Sequence, residues 1–139
     1  MANVIQRYKT AQEALENFKQ GLDDFELLVQ KDAYTREEYR RYRDSLVKRF
    51  ELSVDTLWKY IKFYLQENTG LVHNNPKAVL REAGRAGLLN EQNTSLAIEM
   101  VDSRNDAVHI YREAIAEHLL ERLPVFYQLM YKLIMATIK

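Results

Sequence analysis

Leu15, Phe18, Leu22, Phe25 and Val29 recur at spacings of three and four residues, and the same rhythm returns over most of the chain. That spacing gathers side chains on one face of an α-helix, whereas a strand needs a period of two. Tyr39, Tyr42, Leu46, Phe50, Val54, Leu57, Ile61 and Tyr64 carry it on as one long stripe. Only four glycines and two prolines occur in 139 residues, too few for the many turns of an all-β fold. The pattern therefore predicts an all-α chain in which a few long helices each bury an apolar stripe against their neighbours.

The interruptions predict where the helices end. "KDAYTREEYR" breaks the first stripe, and Thr35 followed three residues later by Glu38 predicts a capping box opening the second helix. "QENTGLVHNNP" is a loop whose Asn75 can cap a third helix, with Pro76 at its first position. That helix, "PKAVLREAGRAGLL", ends near Gly87. A fourth runs from about Glu91 to about Ser103, and a last one from about Asp106 to Ile138, where Pro124 predicts a kink or a break. The expectation is a single domain over residues 1–139: an up-and-down bundle of about five helices, the first two long.

Several function classes are excluded early. Twenty basic residues balance twenty acidic ones, so the chain is no general nucleic-acid coat and any such contact must be local. The absence of cysteine removes disulfides, thiolate zinc sites and a cysteine nucleophile together. There is no HExxH, Gly-rich phosphate loop, Walker lysine or G-x-S-x-G, and His109 and His118 lie nine residues apart, not four. His73 lies in a polar loop with no ligand pattern near it. No metal and no cofactor are expected. "MANVIQRYKTAQ" lacks the apolar core of a signal peptide, and no apolar run approaches the roughly 18 residues of a membrane span. The expected location is the cytoplasm, away from membranes.

The chemistry gathers in "RNDAVHIY", residues 104–111. Arg104 is a fixed cation suited to phosphate, His109 can move a proton near neutral pH, and the Tyr111 hydroxyl is a possible nucleophile or modification target. Spacing alone decides little: 11 arginines and three histidines in 139 residues give about 0.24 chance matches to Arg-x4-His. A helix C-terminal cation and a polar first-turn histidine are the plainer readings. On one straight helix, residues five apart point about 140° away from each other, so Arg104 and His109 share a target only if the helix breaks. Asn105 and Asp106 are good N-caps and predict such a break. Arg112 and His118 sit on an unbroken stretch and read as solvated faces.

Cleaving RNA without a metal needs a base for the 2′-hydroxyl, an acid for the leaving oxygen and a cation for the phosphate. One histidine supplies one proton role, and a symmetric homodimer would supply both. The "AYTREEYRRYRDSLVKRF" stretch mixes tyrosines and arginines in a way that can grip nucleic acid, but a charged solvent face over a tyrosine-bearing stripe explains it more simply.

"RFELSVDTLWKYIKFYL", "NNPKAVLREAGRAGLL" and "MVDSRNDAVHIYREAIAEHL" occur in that order. Together they resemble the nucleotidyltransferase substrate-binding proteins of the HEPN superfamily, over about residues 5–135. The pieces that carry the likeness are Arg49-Phe50-Glu51, Leu57-Trp58-Lys59, Pro76 ahead of Val79-Leu80-Arg81-Glu82-Ala83, and Arg104-Asn105 with His109 and Tyr111. The resemblance implies a HEPN-like fold similar to the C-terminal domain of aminoglycoside nucleotidyltransferases. It also implies a minimal nucleotidyltransferase as partner, with the pair acting as a toxin–antitoxin module. In toxin members the R-x4-H-x-Y motif forms a metal-independent ribonuclease at a homodimer cleft, and the partner attaches AMP to the motif tyrosine. Carried over, Arg104 and His109 are the catalytic candidates, Asn105 a polar support and Tyr111 the AMP acceptor. Family members often have Ser or Thr before the histidine; Val108 stands there in this chain. Two functions stay open: an RNA-cutting toxin restrained by its partner, or a non-catalytic subunit presenting substrate to a nucleotidyltransferase.

Overall fold

The computed structural model describes residues 2–138. Helix α1 spans Ala2–Lys31 and α2 spans Arg36–Thr69, and the short link between them makes an antiparallel hairpin. Thr35 caps α2 as the sequence predicts: its hydroxyl accepts from the Glu38 amide at 3.0 Å, and the Glu38 carboxylate accepts from the Thr35 amide at 2.9 Å. The cap satisfies two amides that a helix start leaves without partners. Gly70 closes α2 in the left-handed region at φ 76°, a conformation that costs glycine little. Then come α3 over Pro76–Arg85, α4 over Glu91–Asp106 and α5 over Glu113–Ala136. Asn75 caps α3 through the Ala78 amide at 2.9 Å, and Asn90 caps α4 through the Asn93 amide at 2.7 Å.

Cross-contacts give the directions. Tyr8 meets Tyr60, the Ser53 hydroxyl donates to the Ala14 carbonyl at 2.9 Å, and Phe18 meets Phe50, so α1 and α2 run antiparallel. Phe126 stacks on Phe50 and the Tyr60 hydroxyl reaches Thr137 at 2.8 Å, so α5 runs parallel to α2. Phe18, Phe50 and Phe126 form the fully buried centre of this three-helix layer, with ring centroids 5.7 Å apart at both contacts of Phe50. The α3–α4 pair covers the remaining side through Val79, Leu80, Ala83, Ala97, Met100 and Val101. Gly84 lets α3 and α4 approach so closely that an added methyl would collide with the Thr94 side chain. No buried side-chain nitrogen or oxygen lacks a hydrogen bond among the described residues. The result is the five-helix all-α bundle that the periodicity predicts, but with α5 parallel to α2 the helices do not alternate strictly as an up-and-down bundle would.

Three details depart from that prediction. First, of the kink or break expected at Pro124 the break does not occur, and α5 continues through it: the ring's missing N–H costs one hydrogen bond, while Leu123 and Phe126, both 0% exposed, anchor the helix on either side. Second, Val29 is 40% exposed, because the last turns of α1 line an open groove with Leu120, Pro124 and Tyr127. Third, Tyr42 is 42% exposed and Arg43 takes the inward position. The stripe 39–43–46–50 steps by four, three and four, which leaves Tyr42 at its edge, about 70° from the centre of the buried face. The Arg43 stem packs inward while its Nε donates to Asp44 at 3.0 Å.

Candidate functional site

The end of α4 and the segment joining it to α5 carry the candidate residues. Helix α4 continues to Asp106, three residues beyond its expected end, then tightens into a 3-10 turn over Ala107–His109. A further turn follows, and α5 begins only at Glu113, seven residues later than the sequence suggests. The backbone does break between Arg104 and Tyr111, but neither Asn105 nor Asp106 makes the break by side-chain capping. Ala107, 2% exposed, pins the corner into the core. Val108 and Tyr111, 63% and 70% exposed, project outward, and Asn105 and His109 are also exposed.

His109 and Tyr111 are brought together. The His109 Nδ1 lies 3.3 Å from the Tyr111 hydroxyl, and the rings meet edge to face with centroids 5.9 Å apart. The Arg112 guanidinium lies 5.9 Å from the Tyr111 ring centroid. An imidazole within hydrogen-bond reach of a phenol can accept its proton or hold its oxygen in place.

Arg104 turns elsewhere. Its Nε and Nη2 donate to the two carboxylate oxygens of Asp55 at 2.9 and 2.8 Å, and Nη1 stands 3.7 Å from Glu51 Oε2. Asp55 and Glu51 are four apart on α2 and share its face. The hydrogen bonds it donates to Asp55, aided by the charges of Asp55 and Glu51 and opposed by partial burial, hold the guanidinium proton more tightly than usual. A position at a helix junction, off the apolar stripes, suggests an arginine whose loss leaves folding unchanged. Arg104 is instead a bidentate tie between α4 and α2. Arg122 makes a matching tie from α5 to Glu99 of α4 at 2.7 and 2.8 Å, so α4 is clamped from both sides. Sequence reasoning missed the two carboxylates. Their only signal was their four-residue spacing inside the "RFELSVDTLWKY" block.

The remaining candidates settle simply. His73 has a partner, its Nε2 lying 3.3 Å from Glu82, which also accepts from Arg85 at 3.2 Å. Tyr34 stacks on Tyr39, and Tyr39 packs on Phe25, as a tyrosine-bearing stripe requires. No three His, Asp or Glu side chains gather as a metal site would need among the described residues.

Comparison with known proteins is decisive on one point. The family model for "Nucleotidyltransferase substrate binding protein like" matches residues 6–137. The chain belongs to this family. A Thermus thermophilus protein of known crystal structure is 31% identical, covers 88% of this chain and 99% of its own, and superposes with a TM-score of 0.72. A toxin–antitoxin structure containing AMP-PNP superposes at 0.73 with 12% identity, over 96% of each chain. A tri-AMPylated Shewanella oneidensis HEPN toxin in complex with its MNT antitoxin superposes at 0.71 with 13% identity, over 96% of this chain and 94% of its own. At such identities the last two show the fold: this substrate-binding-family member has the HEPN toxin fold. No curated protein sequence matches this chain. No helix among the described residues is long and apolar enough to cross a membrane.

Proposed function

We propose that this chain is the HEPN-type half of a two-protein module: a metal-independent endoribonuclease that a minimal nucleotidyltransferase restrains by attaching AMP to Tyr111. One observation carries the reading, the exposed His109–Tyr111 pair, with 3.3 Å between ring nitrogen and hydroxyl, on the corner that follows Arg104. In cleavage, His109 takes the 2′-hydroxyl proton, and Arg104 exchanges Asp55 for the scissile phosphate with Asn105 beside it. The second proton role falls to His109 of another copy in a homodimer. In modification, the Tyr111 oxygen attacks the α-phosphorus of ATP held by the partner. Pyrophosphate leaves and the phenol proton passes to His109. Arg112, whose guanidinium already lies beside the ring, is a cation that can pair with the attached phosphate.

The test is co-expression with a minimal nucleotidyltransferase and intact-mass measurement. The parent gains AMP units and loses toxicity. Tyr111→Phe gains none and stays toxic while folding normally, since the ring is exposed. A Phe variant that is still modified and neutralised ends the assignment.

The bidentate hold on Arg104 favours a second reading, a non-catalytic subunit presenting substrate to a nucleotidyltransferase. An arginine matched by two carboxylates of its own chain acts as a tie between helices. Purified protein that cleaves no RNA at any concentration, yet stimulates nucleotidyl transfer by its partner, selects that reading.

A further inference from the structure

The first turns of α1 and the middle of α2 enclose a polar groove of about 250 Å³ lined by Asn3, Gln6, Arg7, Thr10, Thr56 and Lys59. It holds two cations and no carboxylate. Neither Arg7 nor Lys59 enters an ion pair among the described residues. The Arg7 guanidinium lies over the Phe63 ring, 4.6 Å from its centroid. That stacking fixes the plane of the guanidinium without using its N–H donors. Lys62, on the same side of α2, adds a third positive charge near the ring at 5.6 Å. Thr56 donates to the Leu52 and Ser53 carbonyls, so toward the groove it offers only an acceptor. The donors are therefore Asn3, Gln6, Arg7, Thr10 and Lys59.

The other polar grooves differ. One pairs Arg41 and Arg49 with Asp24 and Glu38, and Arg49 is already donating to the Asn17 carbonyl at 2.9 Å. Another, along α3 and α4, holds Arg81 and Arg85 with Glu91, and Arg85 is bound to Glu82. The Arg7–Lys59 groove alone of these three has a lining with cations and no acid.

Position links it to the corner. Lys59 is one turn along α2 from Asp55, about 6 Å on the helix axis, and Asp55 holds Arg104. The volume lies below the roughly 300–1,000 Å³ of pockets that enclose a whole small molecule. It suits one phosphate of a longer strand better than a complete nucleotide with its base. We infer that this groove is a subsite for one phosphodiester of a single-stranded RNA whose scissile phosphate lies at the Arg104 corner. The inference rests on the nuclease reading and supplies its substrate grip. In a chain of zero net charge, it is where a local contact with RNA is built.

The test uses the full chain carrying His109→Ala, so that bound RNA is not cut. Anisotropy of a labelled single-stranded RNA of about twelve nucleotides is followed from about 50 to about 200 mM salt. Adding Arg7→Gln and Lys59→Gln weakens binding about tenfold and reduces the salt slope by about 0.7, one phosphate's share. Arg7→Lys with Lys59→Arg keeps the slope. Lys31→Gln with Lys132→Gln removes the same charge from exposed positions elsewhere and leaves the slope unchanged. Unaltered thermal melts show that each variant is folded. If the Gln pair leaves RNA affinity and slope intact, the subsite is refuted and the nuclease reading stands. If the parent binds no RNA, both fall together. Loss of a labelled ATP analogue without loss of RNA assigns the groove to free nucleotide and overturns the RNA subsite.

Discussion

Replacing Arg104 by alanine tests whether α4 is tied to α2 in solution. The change removes two hydrogen bonds to Asp55 and a longer contact with Glu51. A hydrogen bond to a charged group is worth about 1.5–3 kcal/mol when well shielded. Here the Arg104, Asp55 and Glu51 side chains are 25, 35 and 19% exposed, so water screens the pair and partly re-solvates the orphaned carboxylates. About 1–2 kcal/mol for the whole tie is the reasonable sum. At about 2.1 cal/mol/K per residue, the 139 residues unfold with about 0.29 kcal/mol/K, so the melting temperature should fall by roughly 3–7 °C. A double-mutant cycle with Asp55→Ala, read by urea denaturation, isolates the pair and should return a coupling of about 1 kcal/mol. Arg104→Lys should recover only part of it, because an ammonium cannot reproduce the paired contact. A coupling below about 0.3 kcal/mol, the scatter of independent sites, would show that Arg104 is free in solution and that the tie argument is wrong.

Three other outcomes follow from the same geometry. His109→Ala should reduce RNA cleavage by about 10²–10⁴-fold with little change in stability, whereas His118→Ala, exposed on α5, should leave it intact; cleavage assays on purified variants check both. If each active site needs two histidines, light scattering should give twice the 16.5 kDa chain mass at micromolar concentration, and a monomer that still cuts RNA contradicts the shared cleft. The Glu38 carboxyl titrates below its ordinary value of 4.5 because the Thr35 amide donates to its charged form. Its folded pKa is the depressed one, so the stability it adds is present above 4.5 and is lost as pH falls through the folded value. The melting gap between the parent and Glu38→Gln should be widest near neutrality and close below pH 4.5; a gap that grows in acid would reverse the sign.

Local signals carried most of the fold. Thr35 with Glu38, and Asn75 with Pro76, act within four residues of backbone, and each forms as predicted. The apolar stripes are equally local in origin, which is why the core residues Phe18, Phe50, Leu57 and Ile61 were legible. Tertiary effects escaped. Whether Val29 is covered depends on how α5 packs beside the end of α1, and whether Pro124 breaks a helix depends on the packing of Leu123 and Phe126 around it. Tyr42 misleads for a smaller reason. A tyrosine looks more apolar than an arginine, yet the helical phase gives the buried position to Arg43, whose stem fits and whose charge reaches Asp44.

The closeness of His109 and Tyr111 was legible in the sequence, whereas the tie of Arg104 to another helix was not. His109 and Tyr111 are two apart, and a turn brings them together without help from elsewhere in the chain. Arg104 could not be read that way, because its partners lie 49 and 53 residues upstream on another helix. That separation changes what the arginine can be. A guanidinium free at a corner is a ready phosphate clamp, whereas one already bidentate to Asp55 clamps phosphate only by exchanging one anion for another. The exchange is feasible in energy: a phosphodiester offers the same forked acceptor geometry as a carboxylate, and the tie it replaces is worth only about 1–2 kcal/mol. The Arg7–Lys59 groove, one turn away on α2, would then favour the exchange by holding the neighbouring phosphate of the same strand, so that the scissile phosphate competes with Asp55 at high local concentration rather than from bulk solution.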